Sequence, residues 1–235
     1  TDRSRGLGDV YKRQPQSDVI GSQFCEVQGV RGAGQWDLGW GWHMATQLMA
    51  DAYETGDPRK NATLLYFRKT DDEPITPENT NEPYGESPVS PAMGAYFNKK
   101  AYTDPALRKE YTNKGFWVNI RLIRYSDVVL MAAEAYNETE NTAEAWKLLN
   151  SVRRRAGARE ITTENYQELM KEKVYKLRFI SDSDDAGKFR TALFWERGFE
   201  LAFEGQRKYD LIRWGIIKDA LSLFGNRSEV NTSTT

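Results

Sequence analysis

The stretch from Glu196 to Gly215 constrains the fold of this 235-residue chain more than any other. Its acidic residues recur at helical spacing beside an apolar body, and a second apolar segment follows a glycine. We therefore predict two helices at an angle, separated by Gly205, because glycine adopts the left-handed conformation after a helix without a Cβ clash. The first predicted helix runs from Arg190 to Glu204, and the apolar residues of the two segments are Phe199, Leu201, Ala202 and Phe203, then Tyr209, Leu211, Ile212 and Trp214.

Charged residues lie among the apolar residues of both predicted helices. Because a lone buried ion is strongly destabilising, we expect these charges to pair. We interpret them as a structural ion network that locks the two helices together, made of Glu196, Glu200, Glu204, Arg207, Asp210 and Arg213. No nucleophile or metal ligand lies near them in the sequence, so the pattern does not predict an acid/base pair.

Composition excludes several classes of protein. The 33 basic and 34 acidic residues leave a net charge of -1, which argues against nucleic acid as a partner. The single Cys25 cannot form an internal disulfide, and we take it as a free thiol. The single His43 supports neither a metal site nor a serine–histidine–aspartate arrangement. No apolar run approaches the ~20 residues of a membrane-spanning helix, and no metal or cofactor is predicted.

A change to helical patterning begins at Arg121. Apolar residues repeat at helical spacing from Ile123 to Tyr136, and a second helix is predicted from an N-cap at Thr142 to Gly157. Small alanines allow close antiparallel packing of the two, as in a tetratricopeptide unit. A further helix is predicted to open at Thr162 or Thr163. The predicted fold class is mainly α, with tetratricopeptide-like helix pairs, long irregular loops and little β structure.

The preceding part of the chain is rich in glycine and proline. A short helix is predicted over Ala45–Tyr53, followed by a turn in which Asp57 and Arg59 form an ion pair. Short β-like runs are predicted at Thr63–Arg68 and Phe116–Ile120. Between them lies a long proline-rich loop from Asp71 to Pro91, a kind of segment that is often functional.

Three tryptophans stand close together in the glycine-rich part of this region. Trp36, Trp40 and Trp42 can offer flat apolar rings to the C–H faces of a sugar, while Asp37 can bind hydroxyl groups. Alternatively, the indoles fill the base of the loop against the helices. Trp36 and Trp40 are favoured as ligand contacts over Trp42, which is nearest the predicted helix. Tyr84 and Tyr96 flank the proline-rich loop and can extend the surface, although each alone is more simply a packing residue.

These segments together resemble the SusD/RagB family, the glycan-binding lipoproteins of the Bacteroidetes outer membrane. The stretch from Glu196 to Gly215 is similar to the closing motif of that family. Two further motifs of the family occur in the expected order along the chain. The first consists of Trp40–Trp42, Met49–Glu54 and Asp57–Arg59, and the second of Ile123–Asn137 and Leu149–Gly157. The resemblance extends from Trp36 to Phe224, and three motifs in order are far more specific than one.

This resemblance implies non-catalytic binding of oligosaccharides at the outer face of the outer membrane. It further implies delivery to a TonB-dependent transporter of the SusC type, and a membrane link only through a lipid anchor that this chain lacks. The alternative is a tetratricopeptide-like protein-interaction scaffold without its own glycan site. A glycoside hydrolase is disfavoured, because it needs two facing carboxylates on a cleft rather than glutamates beside arginines.

Four segments are expected along the chain. Residues 1–14 resemble translated sequencing-adapter sequence from a metagenomic assembly, and we exclude them from fold reasoning as non-native. Residues 15–120 form the expected loop-rich glycan-binding segment, residues 121–225 the helical region, and residues 226–235 a polar tail. The chain is thus expected to be a fragment that lacks the signal peptide and the lipid-bearing cysteine.

Overall fold

The computed structural model of the chain describes residues 27–30, 39–66, 81, 96–102, 121–171 and 180–225. Helices dominate these residues, which contain one two-stranded sheet, so the predicted mainly α fold class is confirmed. Several predictions concern residues outside these ranges: those for Trp36, Asp37 and Tyr84, the extended segment Phe116–Ile120, the leader 1–14 and the tail 226–235.

The described residues belong to two compact units. The first lies within Thr1–Ala50 and Lys60–Arg121, and the second within Asp51–Arg59 and Leu122–Thr235. The segment Asp51–Arg59 therefore groups with the helical part of the chain, although it precedes the predicted boundary at residue 121 by more than sixty positions in sequence. Its ionic contacts, described below, give the physical reason.

Two short helices and a small sheet make up the described part before residue 121. Helix α1 is Gln47–Ala52, helix α2 is Pro58–Thr63, and a 3-10 helix covers Lys99–Ala101. Strand β1 (Leu64–Tyr66) pairs antiparallel with strand β2 (Tyr96–Asn98), so that Leu65 lies opposite Phe97. A small core in the first unit contains Val30, Leu65 and Phe97, with Met44 and Tyr102 packed against it. Helix α1 and strand β1 fall inside the ranges predicted for a helix and a β-like run.

Six helices form the described part after residue 121. They are α3 (Tyr125–Glu138), α4 (Thr142–Ala156), α5 (Tyr166–Lys171), α6 (Asp185–Glu200), α7 (Arg207–Arg213) and α8 (Ile217–Gly225). Helices α3 and α4 pack as the predicted pair, and α6 contacts both. Their shared core is apolar and includes Leu130, Ala133, Ala145, Leu149, Val152, Phe189 and Leu193.

Local side-chain contacts fix the helix ends. Helix α4 begins after Asn141, whose side chain accepts a hydrogen bond from the backbone of Glu144, so the prediction of Thr142 as its N-cap is wrong. The Thr142 hydroxyl instead donates to the Asn137 side chain at 3.0 Å. Helix α4 ends at Ala156 and is capped by Gly157, whose φ of 75° is the left-handed conformation that favours glycine.

Helix α6 is displaced toward the N-terminus from its predicted range. It begins after Asp184, whose carboxylate accepts from the Gly187 backbone at 2.7 Å, and ends at Glu200 rather than at Glu204. A turn follows because Phe203 and Gly205 both adopt left-handed backbone conformations, with φ of 62° and 81°. Glu204 therefore lies in a turn and not on a helix.

The second predicted apolar cluster is wrong at two positions. In helix α7 the buried residues are Asp210 and Leu211, whereas Tyr209 and Ile212 are exposed. A seven-residue helix presents only one narrow stripe to its neighbours, and here that stripe includes a charged residue. Trp214, just after the helix, is partly buried against the helical core as expected.

Candidate functional site

The segment that carries Trp40 and Trp42 is held against residues 27–30 in the first unit. Three backbone hydrogen bonds of 2.9–3.0 Å join the two stretches: Gly39 to Val30, Gly41 to Gly29, and Trp42 to Val27. The three donors lie at positions 39, 41 and 42, so the segment is paired with residues 27–30 on both sides of Trp40. The backbone that carries the two indoles is therefore fixed by local pairing.

Glycines make this close pairing possible. A Cβ atom on Gly39 would lie 2.1 Å from the carbonyl carbon of Gly29, a distance that no side chain tolerates. Gly41, between the two tryptophans, has a φ of 69°, and His43 has a φ of 56°, which is unusual for a residue other than glycine. Left-handed residues therefore flank Trp42 on both sides, and such backbone strain is concentrated at functional sites.

The indoles of Trp40 and Trp42 lie next to each other and are open to solvent. Their ring centroids are 5.5 Å apart and their planes are inclined by 61°. The exposed fractions of the two residues are 44% and 56%. The pair thus presents aromatic surface that the first unit leaves uncovered. Trp42 is the more exposed of the two, although the sequence pattern favoured Trp36 and Trp40 over it.

Tyr96 is tied to the segment that follows the indoles. Its carbonyl accepts from the Ala45 backbone at 2.9 Å, and its hydroxyl accepts from the Gln47 side chain at 3.2 Å. Its half-buried ring lies 5.9 Å from that of Tyr66 on the neighbouring strand. The ring of Tyr96 therefore packs within the sheet, while its hydroxyl reaches helix α1.

Polar side chains also stand exposed directly after the indoles. His43, Thr46 and Gln47 are all exposed, and they can donate to and accept from sugar hydroxyls. The sequence pattern led us to consider His43 only as a metal ligand or as a member of a catalytic triad, and it did not single out Thr46 or Gln47. These residues could have been identified from the sequence because they lie within five positions of Trp42.

A buried ion cluster in the second unit includes Glu196 of helix α6. Arg153 donates to Glu196 at 2.8 Å and to Glu54 at 2.5 Å, and Arg59 contacts Glu196 and, at 2.8 Å, Asp57. Burial opposes the charge on Arg59, but the carboxylates of Glu196 and Asp57 outweigh it and raise its pKa. The segment Asp51–Arg59 is thereby bound to helices α4 and α6.

A second group of ion pairs surrounds the end of helix α6. Arg124 donates to Glu200 at 2.5 Å and to Glu204 at 2.6 Å, and Arg155 also contacts Glu200. Burial alone would raise the pKa of Glu200, but the hydrogen bond from Arg124 and the charges of Arg124, Arg155 and Arg59 lower it. Glu200 is therefore held as a carboxylate.

A third group joins helices α3, α6 and α7. Arg197 donates to Asp127 and to Asp210, both at 2.8 Å. Arg213 contacts Asp210 at 3.0 Å and Glu134 at 2.5 Å. The sequence pattern identified Asp210 and Arg213, but not the partners contributed by helices α3 and α6.

Arg207 does not take the place that the sequence analysis gave it in an ion network. Among the described residues it donates to the carbonyl of Phe194 at 2.8 Å, and its guanidinium lies 3.8 Å from the centroid of the Phe194 ring. Burial lowers its pKa to about 10, although the charge of Asp210 works in the opposite direction. The guanidinium of Arg207 thus lies against the Phe194 ring of helix α6.

The carboxylates of Glu196 and Glu200 in helix α6 are bound by arginines, which is an arrangement for stability rather than for proton transfer. Within the described ranges, no group of three or more histidine, cysteine or acidic side chains is placed to hold a metal ion. None of the helices described has both the length and the apolar character required to cross a bilayer.

The chain matches the model of a known protein family. The model of the SusD family matches residues 7–235, which includes nearly all of the sequence and part of the predicted leader. The chain belongs to the SusD family. The match confirms the family resemblance that the sequence motifs indicated.

Relatives in Formosa agariphila illustrate the extent of similarity to this SusD-family chain. It is 40% identical to SusD-like protein P25 over 100 residues, which cover 43% of the chain and 16% of that protein. It is 27% identical to SusD-like protein P2 over 208 residues, which cover 86% of the chain and 38% of that protein. The chain thus corresponds to well under half of the length of these relatives.

A crystal structure of a SusD-like protein from Bacteroides fragilis shares the fold of the SusD-family chain. The two superpose with a TM-score of 0.54 at 22% identity, over 86% of this chain and 42% of the other. At that identity the likeness supports the fold alone. The arrangement of the indoles must be judged from the geometry of this chain.

Proposed function

We propose that this SusD-family chain binds oligosaccharides without catalysis, with Trp40 and Trp42 as its stacking residues. The observation that carries the proposal is the exposed indole pair on a segment fixed by three backbone hydrogen bonds. Large aromatic surface left open to water is costly unless a ligand covers it. Trp36, Asp37, Tyr84 and Tyr96 are proposed as further ligand-binding residues.

The chemistry of the surface suits a sugar. The C–H faces of a pyranose stack on an indole, and exposed polar side chains such as His43 and Gln47 can bind the hydroxyls. Because these hydrogen bonds replace bonds to water, their net gain is small and the affinity of one site is modest. A fixed backbone limits the entropy lost on binding.

A role without catalysis is supported by the state of the acidic residues in helix α6. Hydrolysis of a glycoside requires one carboxylic acid and one carboxylate facing a cleft. Glu196 and Glu200 are instead buried and bound to arginines, and the pKa of Glu200 is lowered, which is the wrong direction for a general acid.

We place the whole protein at the outer face of the outer membrane, held by a lipid anchor. There it captures oligosaccharides and passes them to a TonB-dependent transporter of the SusC type. Family membership supports this placement. Co-purification of the native protein with such a transporter from bacterial membranes tests it, and recovery of the native protein without any transporter contradicts it.

Affinity electrophoresis in gels cast with a panel of soluble polysaccharides tests the proposed binding. We expect at least one polysaccharide to retard the chain relative to a gel without polysaccharide, with no release of reducing ends in solution. Failure of every polysaccharide to retard the chain contradicts the proposal. Retardation with production of reducing ends contradicts its non-catalytic part.

A protein-interaction scaffold is the second candidate, and helix α3 supplies the observation that favours it. Tyr125, Val128, Met131 and Tyr136 are exposed on one side of this helix, opposite the side that packs on α4. Helix pairs of the tetratricopeptide kind bind partners through such surfaces. If no polysaccharide retards the chain, loss of transporter co-purification from the native protein on substitution of Tyr125 and Met131 by serine would favour a scaffold that binds its partner through this face.

A further inference from the structure

Arg207 is a partly buried cation that forms no salt bridge with the described residues of the chain. The other buried or partly buried arginines described in the second unit each contact a carboxylate, namely Arg59, Arg124, Arg153 and Arg197. Asp210, which lies in the same helix as Arg207, is already bound by Arg197 and Arg213. Because removing a cation from water without a partner is strongly destabilising, this exception calls for a physical reason.

Helix α6 holds the guanidinium of Arg207 in a defined orientation. The group lies 3.8 Å from the centroid of the Phe194 ring, and its Nη1 donates to the Phe194 carbonyl at 2.8 Å. Gly198, about one turn further along helix α6, leaves room for the group, because a Cβ atom there would lie 3.6 Å from Nη1 and 3.8 Å from Nη2. Glycine is unfavourable inside a helix, so helix stability is reduced at the position that faces this arginine.

One edge of the guanidinium has no partner among the described residues. Nη1 is engaged by Phe194, whereas Nε and Nη2 donate to none of them. These two nitrogens share an edge of the planar group, and their spacing matches two oxygens of a carboxylate, sulfate or phosphate. Burial lowers the pKa of Arg207 to about 10 and the charge of Asp210 offsets this only in part, as expected for a cation without an adjacent anion.

We propose that Arg207 is the centre of an oxyanion site on the second unit, where Nε and Nη2 bind two oxygens of a carboxylate, sulfate or phosphate group. The anion supplies the countercharge that the described residues do not provide. Stacking on Phe194 fixes the plane of the guanidinium before the anion arrives, so little side-chain entropy is lost on binding. The site includes none of the residues proposed to bind glycans, so it does not depend on the proposed function.

Nuclear magnetic resonance of the arginine Nε–H groups in isotopically labelled protein tests the site. The protein is titrated with sodium sulfate, sodium phosphate or sodium acetate, and sodium chloride keeps the ionic strength constant. Arg207→Gln identifies the Arg207 resonance by its disappearance. We expect at least one oxyanion to shift this resonance to saturation, while that of Arg154, an exposed residue already paired with Glu160, stays in place. The absence of a shift with all three oxyanions, or an equal shift with chloride alone, overturns the proposal.

Melting temperatures in the same oxyanion provide a second measurement that does not depend on Arg207→Gln being folded. Arg207→Lys keeps the charge but loses the planar edge, so it should need about tenfold more oxyanion than the parent for the same gain in melting temperature. Arg154→Gln is the matched control and should gain as the parent does. Sulfate and phosphate stabilise proteins in general, so an equal gain in Arg207→Lys and parent would overturn the proposal. W40A/W42A should show the same Arg207 shift as the parent whether or not it binds glycans, so the two proposals fail independently.

Discussion

Arg153 Nη1 lies 2.8 Å from Glu196 Oε2, and both side chains are almost completely buried, with exposed fractions of 2% and 0%. The same guanidinium reaches Glu54 at 2.5 Å through its other terminal nitrogen. One arginine of helix α4 therefore joins helix α6 to the segment Asp51–Arg59. This contact explains why a segment distant in sequence belongs to the helical unit.

Arg153→Ala should strongly destabilise the fold. The substitution removes the positive charge that pairs with the buried carboxylates of Glu196 and Glu54. The free energy of unfolding should therefore fall by about 3–5 kcal/mol. Urea denaturation followed by circular dichroism measures it. Arg154→Ala is the matched control, because Arg154 is exposed and its pair with Glu160 lies in solvent. Equal midpoints for the two variants would show that the buried contact is not stabilising.

Arg197→Ala should be more damaging than Arg213→Ala. Arg197 is 3% exposed and bridges Asp127 and Asp210, so its removal leaves two buried carboxylates without that guanidinium. Arg213 is 40% exposed and shares Asp210 with Arg197, so its loss should lower stability by about 1 kcal/mol or less. Thermal melting of both variants compares them, and a larger fall in melting temperature for Arg213→Ala contradicts this order.

The stability of the chain should fall in acid partly through Glu200. Its folded pKa lies below the ordinary value of 4.5, so its ion pairs stabilise the fold above that pH and the stabilisation disappears as the pH falls through the folded pKa. Parent and Glu200→Gln should therefore differ most in unfolding free energy at pH 7 and converge toward pH 3.

Urea titrations at a series of pH values measure this convergence. Glu168→Gln is the control, because Glu168 forms an exposed pair with Arg159. It should follow the parent over the whole range. A constant difference between parent and Glu200→Gln from pH 7 to pH 3 would show that the ionisation of Glu200 does not control the acid loss.

The helical part of the fold could be predicted because its signals are local. The α3–α4 pair follows from apolar periodicity, and Gly157 ends α4 as its sequence context indicates. The end of α6 could not be predicted, because Phe203 adopts a left-handed conformation that no local pattern marks. Tyr209 and Ile212 were misplaced because burial in a short helix depends on which neighbour it packs against.

Gly39→Ala should weaken glycan binding by displacing the segment that carries the indoles. The added methyl group would collide with the Gly29 backbone, so the hydrogen bond between Gly39 and Val30 must open. Gly215→Ala is the control: its φ of 71° makes alanine unfavourable by about 1 kcal/mol, but nothing lies within 4 Å of the new methyl group. Affinity electrophoresis should show reduced retardation for Gly39→Ala alone, and equal retardation of both variants would contradict this role.

Only part of the candidate site could be predicted from the sequence. The cluster of tryptophans among glycines indicated a ligand surface, yet the reason for the glycines is a pairing between residues 27–30 and 39–42 that becomes evident only in three dimensions. The ion network shows the same limit. Glu196 and Glu200 were identifiable in helix α6, whereas their partners Arg59, Arg124 and Arg153 come from other parts of the chain.

The most direct test of a glycan site at Trp40 and Trp42 compares two double variants in a gel cast with a polysaccharide that retards the parent chain. W40A/W42A removes the indole pair, and Y125A/Y209A removes two exposed aromatic rings of the second unit. We expect W40A/W42A to migrate as it does without polysaccharide, and Y125A/Y209A to be retarded like the parent. Full retardation of W40A/W42A would contradict a glycan site at these indoles.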